Sequence, residues 1–195
     1  MFSWSASGGR SLSFSSIRYF VARRLQLDYL AVAVPIVIGH NLLHEATHYF
    51  VALAYGEKVL EFRFLTNGWG TSQVVFASPV TARAGLYWLV IAWAPSVVTT
   101  VVGYILYGNR QRLTSGRTVR LCSQYAASFF LLLDPFYLSV VSLLVGGDIR
   151  AVDAVGWPAW PVRACAFLML IVNWRLIRGW MRARGAPTSP PAVLV

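Results

Sequence analysis

Charge is what this chain mostly lacks. Only 12% of its 195 residues are Asp, Glu, Lys or Arg, against roughly 25% in a typical soluble domain. Hydrophobic residues make up 57% and gather in long uncharged runs. A membrane protein is therefore expected in place of a soluble domain. Acidic groups are scarcer still, seven against seventeen Lys and Arg, giving a formal charge of +10. Such an excess would suit nucleic acid, but the arginines form no single basic face. They stand at the ends of apolar runs, as topology signals do, so the expected partner is a lipid bilayer and not nucleic acid. Cysteine is sparse too. Cys122 and Cys165 both lie in apolar segments, which excludes a disulfide framework and reads as two buried, inert thiols. No apolar run precedes Tyr29, so a cleaved secretory signal is not expected, and no internal repeat stands out.

Four hydrophobic segments are present, at about residues 29–55, 85–107, 121–147 and 160–177. Each is long enough to cross ~30 Å of hydrocarbon at about 1.5 Å per helical residue. Between the first two lies "GEKVLEFRFLTNGWGTSQVVFASP", whose alternation and Asn67-Gly68 pair predict a short hairpin at the membrane surface. The expected fold is an all-α membrane protein of four transmembrane helices, with that β-hairpin between the first and second. Residues 1–28 form a basic, Ser-rich tail that suits a flexible arm, an interfacial anchor or a transit peptide. Residues 29–182 form the membrane domain, and residues 183–195 a Pro-rich tail expected to be disordered. Placing the N-terminus inside puts twelve basic residues on the inner side and five on the outer. Both termini are then cytoplasmic, and the cell membrane is the expected location.

The first segment carries "HEATH", His44 to His48. Helical positions four apart share a face, so both imidazoles can reach one metal ion. Zinc suits two neutral imidazoles plus one further protein ligand, with a position left for water. Glu45, beside the first histidine, is then placed to move a proton between water and a leaving amine. A pattern with three fixed positions arises by chance on polar helices. Inside a membrane helix the same three groups are costly unless they are paired or face a wet cavity, so chance is the weaker explanation here. His40 lies one turn before His44, and about 12 Å separates it from His48, too far to share an ion. It reads as a neighbour of the ligands or as a packing residue.

No other histidine remains to complete the set. The soluble continuation H-E-x-x-H-x-x-G-x-x-H is absent, because Val51 and Ala54 occupy the Gly and His places. Glu57 and Glu61 follow too closely, which leaves Asp134, Asp148 and Asp153 as candidate third ligands. Asp134 would sit at a depth similar to His44, whereas Asp148 on a straight helix would lie near the far surface. A break at Gly146-Gly147 would bring it back. Otherwise Asp134 reads as an interior acid paired with a hydroxyl or Arg120, and Asp148 as an exposed helix cap.

With "HEATH" in an early span, "VALAYGEKV" leading into surface strands, "AWAPSVV" around Pro95 and "GGDIRAVDAVGWP" late in the chain, residues 29–160 resemble the site-2 protease family of intramembrane zinc metalloproteases. Ala94 stands where that family has Gly, and Ile149 follows Asp148 where the family has Gly after Asp. The resemblance implies His44, His48 and Asp148 as zinc ligands, with Asp134 as the alternative third ligand, and Glu45 as catalytic base. The implied activity is cleavage of a membrane-protein or peptide substrate. The hairpin edge, over residues 59–78, is a candidate platform for extended substrate. Two other readings compete: a non-catalytic metal-binding membrane protein, and a small proton-relay transporter using His40, His44 and Asp134. Trp88, Trp157 and Trp160 fit an interfacial belt.

Overall fold

Among the described residues, four stretches are both helical and apolar over a bilayer's width: Leu30–Ala54, Leu86–Gly108, Thr118–Val145 and Trp160–Arg182. The computed structural model describes residues 14–66, 71–79, 82–83, 85–110, 112 and 116–185. In chain order it holds helix α1 (Phe14–Ala54), strands β1 (Val59–Thr66) and β2 (Thr71–Phe76), then helices α2 (Leu86–Gly108) and α3 (Arg117–Phe136). A π-helical stretch, Tyr137–Val141, continues α3 into the short α4 (Ser142–Val145). A 3-10 turn (Gly147–Ile149), α5 (Arg150–Ala154) and α6 (Trp160–Gly185) complete it. The protein is thus a multi-pass helical membrane protein with one antiparallel hairpin between its first two spans.

Two boundaries differ from the sequence-based expectation. Helix α1 begins at Phe14, so the predicted basic tail is helical from that residue, and α6 runs on to Gly185. Residues 1–13, the Asn67-Gly68 turn and residues 186–195 lie outside the described residues. The outer faces of the spans are apolar and open: Phe50, Val97, Leu144 and Leu168 are all exposed. In hydrocarbon such faces need no protein cover. Cys165 joins that outer face and Cys122 is half-buried, so the expectation of two buried thiols does not hold; both are free.

Proline governs how the spans are tied together. Pro35, Pro95 and Pro135 each sit inside a helix. A proline has no N–H, so the carbonyl four residues earlier loses its helical donor. In a bilayer that carbonyl must find a donor elsewhere in the protein. For Pro135 the carbonyl belongs to Leu131, and Asn173 Nδ2 donates to it at 2.7 Å. Asn173 Oδ1 in turn accepts from the Tyr104 hydroxyl at 2.6 Å. One fully buried side chain therefore joins α2, α3 and α6. At Gly103 the α2 and α3 helices approach so closely that a Cβ would lie 2.9 Å from Leu131 Cγ. Small residues permit this kind of contact between spans.

The hairpin is seated where α1 ends. Phe62 pairs with Val74 and Arg63 with Gln73. Ala52, Trp88 and Ile91 form a buried cluster against which Val59 and Phe76 pack. Glu57 clasps the hairpin's base, accepting from the Ser78 N–H at 3.1 Å and its hydroxyl at 3.0 Å. Trp88 is consequently interior, 3% exposed, and not a belt residue, whereas Trp157 and Trp160 are well exposed.

Replacing Asn173 by Leu removes both of its hydrogen bonds and leaves the Leu131 carbonyl without its donor. The expected loss is about 1 kcal/mol, read as a lower unfolding midpoint in a denaturing-detergent titration.

Candidate metal centre

Three nitrogen and oxygen donors converge between α1 and the turn that follows α4. His44 and His48 project from one face of α1, as their four-residue spacing requires. Asp148 arrives from the 3-10 turn. Its Oδ2 lies 3.5 Å from His44 Nε2 and its Oδ1 lies 3.5 Å from His48 Nε2. The three donors lie within 4.8 Å of one another. Those spacings are too long for good hydrogen bonds. They do match an ion: two ligands at about 2.1 Å from a tetrahedral centre stand roughly 3.4 Å apart. The group can bind a metal ion.

Asp148 reaches this place by a reversal of the chain. Helix α4 ends at Val145, and Gly146 and Gly147 follow with φ of +75° and +69°. Two successive left-handed residues are accessible to glycine at little cost. They turn the backbone back toward the centre. Ile149, 1% exposed, then packs with Leu89 and Val152 and anchors the turn on α2. Tyr137, in the π-helical stretch, lies directly under Gly147, where a Cβ would collide with its hydroxyl. That hydroxyl also faces the Asp148 backbone N–H. Tyr137 had no signature in the sequence beyond its place two residues after a mid-span proline.

Each histidine shows its other nitrogen to a different partner. His48 Nδ1 lies 2.8 Å from the Ile91 carbonyl. That carbonyl is available because Pro95, four residues on, has no N–H to offer it. With Nδ1 donating, Nε2 of His48 carries the lone pair that faces Asp148. His44 Nδ1 lies 3.4 Å from Asp134 Oδ1. Asp134 is thus on the opposite side of the His44 ring from Asp148, so the geometry groups Asp148, and not Asp134, with the two imidazoles. Asp134 Oδ2 also meets His40 Nε2 at 3.2 Å and the Thr99 hydroxyl. Its partners are therefore a hydroxyl and two histidines; Asp153 is not in the group.

Glu45 lines the same cavity, which has a volume of about 880 Å³. The backbone N–H of Val74 on β2 lies within reach of its carboxyl. Ala77 N–H donates across the hairpin to Lys58 at 2.8 Å. Alternation along a strand then leaves the Val74 and Phe76 amides on the edge away from β1. Ser72, Gln73, Val74 and Phe76 all line the cavity. Arg83 closes one side, its guanidinium 5.0 Å from the Phe76 ring and 5.1 Å from that of Trp88. Partial burial there lowers the pKa of its guanidinium from the ordinary arginine value, against the nearby charge of Glu57. No protein-family model, curated protein or solved structure matches this chain.

Gly147→Ala would strain the left-handed backbone by about 1 kcal/mol, roughly a fivefold loss of affinity, besides striking the Tyr137 hydroxyl. Zinc affinity, measured by competition with a chromophoric chelator, should fall by at least that factor. The double variant Gly147→Ala/Tyr137→Ala should recover the steric part only.

Proposed function

We propose that this protein is an intramembrane zinc metalloendopeptidase. The observation that carries the reading is the convergence of His44, His48 and Asp148 at ion-compatible spacing beside Glu45. Two imidazoles and one carboxylate are a donor set that zinc takes in hydrolytic sites. A divalent cation held there supplies Lewis acidity, which acidifies water and polarises a carbonyl.

The chain's own residues do the rest. Glu45 accepts a proton as water adds to the peptide carbonyl carbon, and returns it to the nitrogen as the C–N bond breaks. The products are a carboxylate and an amine. A substrate helix cannot be cut while its backbone is internally bonded, so it must unwind first. The edge of β2 away from β1, on which alternation places the Phe76 amide and carbonyl, offers an extended segment replacement hydrogen bonds. The charge balance of the loops supports an orientation with both termini cytoplasmic.

A second reading draws on a specific feature: His40, Asp134 and His44 form a chain of contacts that a proton relay would need. Metal analysis separates the two. Purified wild type should hold one zinc, and His48→Ala should lose it. Glu45→Gln should keep it, and both variants should fail to cleave a transmembrane model substrate in liposomes. A protein that carries no zinc yet moves protons, and stops doing so with Asp134→Asn, would remove the protease reading.

Phe76→Pro tests the platform, since it withdraws one outward amide without touching Glu45. Cleavage of the same substrate should slow while zinc content stays at one per chain; unchanged turnover would dismiss strand pairing.

A further inference from the structure

Asp134 is 3% exposed in the middle of a membrane span. An intramembrane carboxylate is costly unless it is partnered, so its partners indicate what it is for. Each of its oxygens is committed. Oδ2 faces His40 Nε2 at 3.2 Å and the Thr99 hydroxyl. Thr99 has one proton and a competing acceptor, the Pro95 carbonyl at 2.8 Å. Oδ1 faces His44 Nδ1 at 3.4 Å. That nitrogen is buried and makes no hydrogen bond among the described residues, and Asp134 Oδ1 is the acceptor that stands before it, at ion-pair distance. The His40 ring is itself walled in by Phe129 and Phe130, with centroids 5.3 and 4.9 Å away.

We infer that Asp134 is a positioning residue: clamped by His40 and Thr99, it holds the His44 ring with Nδ1 as donor and Nε2 free toward Asp148. This role rests on the metal-centre reading above and extends it to residues that touch no substrate. A neutral imidazole has one N–H. If it sat on Nε2, His44 would turn a proton toward the ligand position and could not bind a cation there. His48 solves the same problem with the Ile91 carbonyl. In His44 the acceptor is a carboxylate, the kind of partner that fixes the tautomer and orientation of a metal-binding imidazole. Because Asp134 and Asp148 lie at opposite nitrogens of one ring, Asp134 cannot join an ion bound at Nε2.

The test uses the full chain in lipid nanodiscs, with zinc affinity from chelator competition and the visible absorption of bound Co²⁺ as a readout of ligand geometry. Asp134→Ala should weaken zinc about 10- to 100-fold, keep one ion per chain and shift the Co²⁺ bands. Asp134→Asn, whose amide oxygen can still accept from Nδ1, should fall between it and wild type. Thr99→Val should show a smaller shift in the same direction. Asp148→Ala should abolish the site. Wild-type affinity and spectrum in Asp134→Ala would overturn the proposal while leaving the metal centre standing. A loss as complete as that of Asp148→Ala, in protein with wild-type circular dichroism, would make Asp134 a ligand and overturn it too. Should Asp134→Ala not fold, unchanged Co²⁺ spectra in both Asp134→Asn and Thr99→Val would be equally decisive against it. Wild type that takes up no zinc would bring down the metal centre itself, and this inference with it.

Discussion

Hydrocarbon supplies no hydrogen bonds, and this protein's interior is arranged around that fact. Every polar group placed between the spans needs a partner drawn from the protein. The mid-span prolines convert the requirement into connections. By withholding an N–H, Pro135 leaves the Leu131 carbonyl for Asn173, which ties α3 to α6 and, through Tyr104, to α2. By the same means Pro95 leaves the Ile91 carbonyl for His48. A break in one helix becomes a bond to another, and in the second case that bond orients a residue of the candidate centre.

The same constraint accounts for the way Asp148 is delivered. A carboxylate in the middle of a straight, lipid-facing helix would be exposed to the acyl chains. Here the third span ends first, and the Gly146-Gly147 reversal folds a short polar turn back over the cavity. Irregular backbone at membrane depth is tolerated where protein or a wet cavity surrounds it. The hairpin and α5 supply that surround, the former packed on Trp88 and the latter on Leu89. The packing that shields the turn therefore also holds Asp148 in place.

The spans, the hairpin and the paired histidines were legible in the sequence because each rests on local periodicity: about 3.6 residues for a helix face, two for a strand, and four between the two histidines. What was not legible depends on chain direction after a break. Counting about 1.5 Å per residue put Asp148 near the far surface of a straight helix; the Gly146-Gly147 pair marked where a break would bring it back, but no spacing rule determines that the chain turns toward His44 there. Burial was misread where an apolar run hid its own geometry. Cys165 falls on the lipid side of α6 and Trp88 under the hairpin, although both stand in equally greasy sequence. The role of Pro95 was out of reach for another reason: a freed carbonyl acquires meaning only when a donor 43 residues away turns out to face it.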